Sequence, residues 1–336
     1  MKNTLPPISP GMKLAAQVSP EADEKELQFI RQMGVEYVVL WTNADKASYA
    51  YYADRKQYFA DHGLTVYGFG NSSVHNQDAI VLNLPGRDEK IEEYLSHLHN
   101  LGKAGIPYTT YAHMANGIWS TEREFTRGEA SSRAFDLSKA EHGWWVGKEY
   151  TAPLTHGRKY TEAEIWENFI YFIKQVVPVA EEAGVRIGIH PDDPPVSELG
   201  GVQRCIFSSF EGYRRALEIS DSPNVGICLC VGCWLEGGTQ MGKDVLETIQ
   251  YFGERQKLFK IHFRNVDQSL PHFVETFIDD GYMDMYLVMK KLQEVSFDGI
   301  LIPDHIPMMG DDRRLGTAFT LGYIKSLVDR VKAEGL

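Results

Sequence analysis

Eight short apolar runs recur along this chain, separated by turn residues and amphipathic stretches, and few folds accommodate that rhythm. The runs cover residues 13–18, 37–41, 65–69, 107–111, 186–190, 225–230, 258–263 and 299–303. Each is rich in Val, Ile, Leu or aromatic residues, as strands buried on both faces should be. Between them lie helix candidates at 20–33, 90–104, 161–183, 210–220, 243–254 and 283–295. Their ends carry chemical punctuation. Ser19 precedes the first and Gly34 follows it; Thr161 and Glu164 form a capping-box pattern, and Gly184 ends that stretch. Strand–helix alternation implies parallel strands joined by right-handed crossovers. Eight such units close into an α/β fold of the (β/α)8 TIM-barrel type. A doubly wound open sheet is the structural alternative.

The 336 residues fit one barrel with insertions, so the expectation is a single catalytic domain over 1–336. One interval is too long for a simple connection. Residues 112–160 separate strand four from its helix and contain Trp119, Trp144 and Trp145. A segment of this length in a compact domain is usually functional, and its aromatics favour an ordered lid or a partner surface over a linker. A homodimer contact there is the assembly considered.

The charge balance, 34 basic against 46 acidic residues for a net −12, comes without a basic cluster and argues against nucleic acid as a partner. The N-terminal stretch MKNTLPPISPGMKLAAQ lacks an export signal's apolar core, and no apolar run approaches membrane-span length. No membrane association and a cytoplasmic location are expected. Nucleotide phosphate loops, dinucleotide fingerprints and serine-hydrolase elbows are absent.

In a barrel, chemistry sits at the C-terminal strand ends. Strands five to eight end in His190, Cys230, His262 and Asp304. Four successive strands thus deliver nitrogen, sulfur or oxygen ligands at one level, the pattern of a metal site facing the mouth. One thiolate, two imidazoles and a carboxylate suit Mn2+, Fe2+ or Zn2+.

The other cysteines admit several readings. Cys230 and Cys233 form a C-x-x-C, redox-active or half a zinc site, though no second pair exists. Strand alternation puts Cys228 one layer below Cys230, where packing is expected, and leaves Cys233 in the following loop. Lys260 lies one layer below His262 and is expected to pair with a carboxylate in the barrel floor, with direct chemistry as the alternative.

Further candidates line the rim. His75 and His113 follow strands three and four and suit general-base or hydrogen-bonding roles. Arg204 and Arg264 are candidates to clamp a carboxylate. Residues 311–314, two Asp and two Arg, read as a solvated loop.

The motifs together resemble the mannonate dehydratase family. His190-Pro191-Asp192-Asp193-Pro194-Pro195 is similar to its I-H-P-D-D-P-P signature, Leu229-Cys230-Val231-Gly232 to its L-C-T-G, and His262-Phe263-Arg264-Asn265-Val266 to its H-L-R-N-V. Gly281-Tyr282-Met283-Asp284-Met285-Tyr286 and Pro303-Asp304-His305 match further blocks, and His75 and Trp119 stand where the family has V-H-E-D and D-W. The resemblance implies a xylose-isomerase-like barrel and a divalent metal, usually manganese or iron, on His190, Cys230, His262 and Asp304. It implies dehydration of D-mannonate to 2-keto-3-deoxygluconate, with His75, His113, Asp193 and His305 as candidates for proton transfer. Arg204, Arg264 and Trp119 would contact the sugar acid. There are departures. Ile302 stands where the family has Arg, Val274 where it has His, Ile118 where it has Asp, and Ala318 or Phe319 near an expected Tyr. Polar groups that would grip a sugar acid are therefore apolar here, which brings in two alternatives: a metal-dependent isomerase, epimerase or β-eliminase on another sugar, and a non-catalytic ligand-binding barrel.

Overall fold

Continuous burial of a strand on both faces requires a layer on each side, and the chain supplies it. The structure, a computed structural model, describes residues 10–335; the first nine residues of the stretch read for an export signal lie outside the described residues. Eight strands are β1 (Lys13–Val18), β2 (Tyr37–Thr42), β3 (Thr65–Asn71), β4 (Tyr108–Tyr111), β5 (Arg186–Ile189), β6 (Val225–Cys230), β7 (Leu258–Phe263) and β8 (Ile300–Pro303). They form one parallel sheet in the order β3-β2-β1-β8-β7-β6-β5-β4. At the remaining seam the Tyr67 ring packs on Tyr108 at 5.2 Å, and the Ala112 N–H donates to the His75 carbonyl at 2.9 Å. The result is the expected TIM barrel.

Among the described residues, eight helices of eight or more residues follow the strands: α1 (Glu24–Gln32), α2 (Tyr49–Asp61), α3 (Arg87–Ala104), α4 (Glu162–Ala183), α5 (Phe210–Ser220), α6 (Val245–Gly253), α7 (Met285–Glu294) and α8 (Arg313–Ala333). α4 illustrates the local logic. The Thr161–Glu164 capping box closes its N-terminus, Ile165, Phe169, Phe172, Ile173 and Val176 form its buried stripe, and Gly184 ends it at φ 66°. No helix among the described residues is long and apolar enough to cross a membrane.

α2 and α8 were not among the helix candidates. α2 is rich in Tyr yet buries only Tyr52 and Phe59, so its apolar pattern is blurred. At α8 the expected solvated loop needs correction. The Asp312 side chain accepts from the Arg314 N–H at 2.9 Å, which makes this segment the cap and first turn of a helix.

Residues 112–160 are ordered into short antiparallel strands. His142–Trp145 pairs with Lys148–Thr151 and with Ile118–Trp119, and Ala134–Asp136 pairs with His272–Thr276 beyond β7. The segment also reaches the loops after β3 and β8. The Trp145 indole N–H donates to the Ser72 carbonyl at 3.3 Å, and the Met308 N–H to the Ser131 carbonyl at 3.0 Å. It therefore bridges across the C-terminal mouth of the barrel.

Candidate functional site

Parallel register brings the strand ends together. Cys230 on β6 lies beside His262 on β7, and His262 beside Ile302 on β8. His190 follows β5 directly, and Asp304 follows β8. One ligand atom each from His190, Cys230 and His262 lies within 4.8 Å of the others. His190 Nε2 is 3.1 Å from His262 Nδ1, which is 3.5 Å from Asp304 Oδ1, while Cys230 Sγ is 3.5 Å from Asp304 Oδ2. Ligand atoms around a tetrahedral zinc-sized ion stand about 3.4–3.7 Å apart, from the bond lengths of such sites.

Proton placement sharpens the test. His190 Nδ1 is 2.7 Å from the Pro191 carbonyl and carries hydrogen there, so in the neutral ring Nε2 is the lone pair. His262 Nε2 faces Cys228 Sγ at 3.6 Å. With hydrogen on that nitrogen, Nδ1 also presents a lone pair. In their neutral rings His190 and His262 then turn one nitrogen each toward Cys230, with the Asp304 carboxylate alongside, an arrangement that favours positive charge at its centre, whether a proton or a metal ion. The His262 pKa reflects this: burial lowers it, but Cys228 and Asp304 outweigh burial and hold it well above the ordinary value. For Cys230, burial opposes ionisation, yet the Cys233 hydrogen bond and the Arg264 charge bring the thiol well below its ordinary value. A divalent cation fits this donor set. Cys228, expected only to pack, is the group that orients His262 from behind.

Arg264 builds the wall behind the quartet. Its Nε donates to Asp304 Oδ2 at 3.0 Å, Nη1 to Glu275 at 2.7 Å, and Nη2 to the sulfurs of Cys230 and Cys233 at 3.3 and 3.4 Å. It also bonds Glu236. At Gly232 any Cβ would run into this guanidinium, so the residue after Val231 has to be glycine while Arg264 keeps this position. Arg133, from the 112–160 segment, adds a second cation, donating to Asp193 at 2.6 Å and Glu275 at 2.8 Å. Asp193, Cys233 and Glu236 form a second buried group of ligand-type atoms, but the two arginines already neutralise it. Burial pushes Glu236 up to about 8 against the pull of Arg264.

Several expected roles shift accordingly. Arg264 is saturated by protein groups and positions the quartet. Arg204 is buried too and donates to the carbonyls of Pro194, at 2.9 Å, and Gly117. Neither guanidinium has the free fork that a substrate clamp needs. Lys260 has no carboxylate partner: its Nζ is buried and makes no hydrogen bond.

Of the four candidates for proton transfer, two face the quartet. His305 is 38% exposed, the most open side chain here, and its Nδ1 lies 2.7 Å from Glu275 Oε1. Burial lowers its pKa, but Glu275 and Asp304 outweigh burial and raise it to about 9. His75 feels the charges of His190, Lys260 and His262, and burial lowers its pKa to about 3. Its Nδ1 is 2.9 Å from the Thr110 carbonyl, so the neutral ring presents Nε2 as an acceptor. Asp193 is held by Arg133. His113 is not brought to the quartet; it bonds Tyr111 at 2.8 Å and packs on Phe169 and Phe207 in the outer layer. Trp119 is fully buried, and its indole N–H donates to the Asn116 carbonyl at 3.1 Å.

The opposite rim carries residues that sequence reasoning passed over. Gln17, exposed at the mouth end of β1, accepts from the Trp41 indole at 3.0 Å. Trp41 meets the His75 ring edge-on at 4.8 Å, and Trp145 lies on the other side of His75 at 5.1 Å. Strand alternation could have flagged Trp41, two residues beyond inward-facing Val39. Nothing in the sequence marks Arg133 or Glu236 as neighbours of this site.

The model of the family D-mannonate dehydratase (UxuA) matches residues 12–335. A mannonate dehydratase of Streptococcus equi subsp. zooepidemicus is 35% identical over 254 residues, covering 69% of this chain and 68% of its own. This chain belongs to the mannonate dehydratase family. A solved mannonate dehydratase from Streptococcus suis serotype 2 superposes with a TM-score of 0.83 at 27% identity, covering 96% of both chains. A xylose isomerase domain protein from Planctomyces limnophilus shares the fold, with a TM-score of 0.63 at 11% identity over 97% of this chain and 99% of its own. As a mannonate dehydratase family member the chain is an enzyme of the hydro-lyase class. Ile302 is buried in the apolar inner face with Ala15, Val39, Tyr108 and Ile300.

Proposed function

We propose that the protein dehydrates a sugar acid, D-mannonate in the first instance, to the 2-keto-3-deoxy acid, and that it does so with a divalent cation held by His190, Cys230, His262 and Asp304. The observation that carries this reading is the gathering of one donor atom each from His190, Cys230 and His262 within 4.8 Å of one another at the barrel mouth, with Asp304 3.5 Å from both His262 and Cys230. Mn2+ or Fe2+ are the family's usual ions, and Zn2+ suits the same ligands. When bound, such an ion acts as a Lewis acid on substrate oxygens and stabilises charge developing next to the carboxylate.

The chain's own groups supply the rest. The open His305, paired to Glu275, takes the C2 proton in its neutral form and returns a proton to the departing C3 hydroxyl, so that water leaves and the enol of the 2-keto-3-deoxy acid remains. His75 accepts a hydrogen bond from a substrate hydroxyl through Nε2. Arg264 and Arg133 fix the carboxylates that set the quartet's geometry. We read residues 112–160 as a cover over the mouth within a single domain, with the exposed tip at Trp144 and Val146 as the surface a second copy would meet.

A second reading has its own support. Arg133, Arg204 and Arg264 are all engaged by protein groups, and Ile302 is apolar, which suits a metal-dependent isomerase or epimerase acting on an uncharged sugar. The test incubates protein loaded with Mn2+, Fe2+ or Zn2+ with D-mannonate and assays for a 2-keto-3-deoxy acid. Product formation supports the dehydratase. No product with any of the three ions sinks it, and isomers formed from neutral sugars would establish the second reading.

A further inference from the structure

Lys260 is an anomaly that the quartet does not explain. It is fully buried on the inner face of β7, and its Nζ has no hydrogen-bond partner. Its strand neighbours are Cys228 on β6 and Ile300 on β8. The adjoining inner wall is apolar, with Ile300, Ile302, Val39 and Tyr108 in one cluster. An amine keeps at least two N–H donors whether charged or neutral, and leaving them unmade in an apolar wall is costly. The neighbouring guanidinium groups are engaged: Arg264 and Arg133 bond carboxylates, and Arg204 bonds two carbonyls while leaving only its Nε unpaired, whereas Lys260 makes no hydrogen bond at all.

The location of the orphan is informative. On β7 Lys260 stands two residues before His262 and beside Cys228, one layer below the register pair Cys230 and His262, so it lies directly beneath the quartet. A flexible four-carbon stem gives its head the length to turn from this layer toward the quartet above it. That is where a substrate held at the mouth would project an oxygen. The wall beside it, at Ile302, offers nothing polar.

We propose that Lys260 is the specificity-determining residue of this site, donating from Nζ to the substrate's carboxylate and so selecting acids over neutral sugars. This inference rests on the dehydratase reading and names the group that would recognise its acid. A donor that native protein groups leave unpaired lowers the stability of the empty enzyme, and a ligand oxygen completes it. Sites built for binding carry that trade-off.

The experiment uses the full chain loaded with Mn2+, as wild type, Lys260→Met and Lys260→Gln. Lys260→Met has similar volume and no donors, whereas Lys260→Gln keeps two N–H donors without the charge. Calorimetric titration measures binding of D-mannonate, D-gluconate and D-galactonate against neutral D-mannitol and D-mannose. Wild type is expected to prefer the acids. Lys260→Met is expected to lose about 10- to 100-fold in acid binding, the range of a charged hydrogen bond, with neutral ligands unchanged. Lys260→Gln should fall between. Without ligand, Lys260→Met should melt roughly 1–3 °C higher, because the orphan has gone. A melting point below wild type with an unchanged acid-to-neutral ratio assigns Lys260 to structure and overturns the proposal. So does a wild type that binds none of the acids. Failure of the dehydratase reading looks different: acids bind through Lys260 but no 2-keto-3-deoxy product forms.

Discussion

The two halves of the barrel mouth are chemically unlike. From β5 to β8 the strands end in His190, Cys230, His262 and Asp304, backed by Arg264, Arg133, Glu236 and Glu275. From β1 to β4 the rim presents Gln17, Trp41 and His75, with Trp145 leaning in from the 112–160 segment. One half concentrates ligating and charged groups in a low-dielectric wall; the other offers aromatic faces and neutral hydrogen-bonding groups. The difference suggests a division of labour, with charge and proton chemistry on one side and recognition of the substrate's carbon skeleton on the other. Such a division is breakable by mutation, because damage to one half should leave the other's signature intact.

The largest effect is expected at the quartet. Cys230→Ala should abolish stoichiometric binding of Mn2+ measured by elemental analysis, and activity with it. In wild type, free metal at a thousandfold over Kd should stabilise the fold by about 4 kcal/mol, a shift that a chelator reverses and that Cys230→Ala lacks. A variant that still binds one equivalent of metal and melts higher when loaded would remove the quartet from the chemistry half.

Arg133 tests whether the charged half needs the 112–160 segment. Its side chain is 10% exposed and satisfies Asp193 and Glu275, both almost fully buried. Arg133→Met leaves those carboxylates short of a partner, at a cost of roughly 3–5 kcal/mol in urea unfolding. Activity should fall through kcat, since Glu275 also holds His305. A change confined to KM would place Arg133 with recognition instead.

On the other side, Trp41→Ala should raise KM about 10-fold, the scale of one aromatic contact, with kcat and metal content near wild type. Loss of metal from this variant would show that the two halves are not separable.

How far the sequence reveals this arrangement depends on the kind of signal. The barrel is legible because double burial forces apolar runs, and β1, β6 and β7 match their runs at both ends. The quartet is legible because His, Cys and Asp at four strand ends are scarce residue types in a place where barrels do chemistry. The arginine network is hidden. Arg133 reaches Asp193 across 60 positions and Glu275 across 142, and no local pattern encodes such a pairing. For the same reason Arg264 looked like a clamp: its sequence neighbours do not reveal that Glu236, Glu275 and two cysteines already occupy it. His113 follows β4 just as His75 follows β3, yet one faces Phe169 and Phe207 and the other the mouth. A turn of one or two residues decides between them.

The smallest predicted effect concerns how the recognition half is held in place. Asp78 ties the 112–160 hairpin to the short helix Asp78–Leu82, accepting from Lys148 at 2.5 Å and approaching His156 Nε2 at 3.3 Å. Burial opposes its ionisation, but the hydrogen bonds from His156 and Lys148 outweigh burial and lower its pKa to about 2. A carboxyl with a depressed folded pKa stabilises the fold above its unfolded value and loses that contribution as pH falls through about 2. Its side chain is 17% exposed, so the contribution at neutral pH is on the order of 1–2 kcal/mol. Asp78→Asn should therefore be less stable than wild type by that amount at pH 7, and the gap should close between about pH 4 and pH 2 in urea titrations. Because the same hairpin carries Trp145, the variant should raise KM slightly and leave metal affinity alone. A stability gap independent of pH would mean that shape, not charge, anchors the hairpin, and a fall in metal affinity would couple the two halves through it.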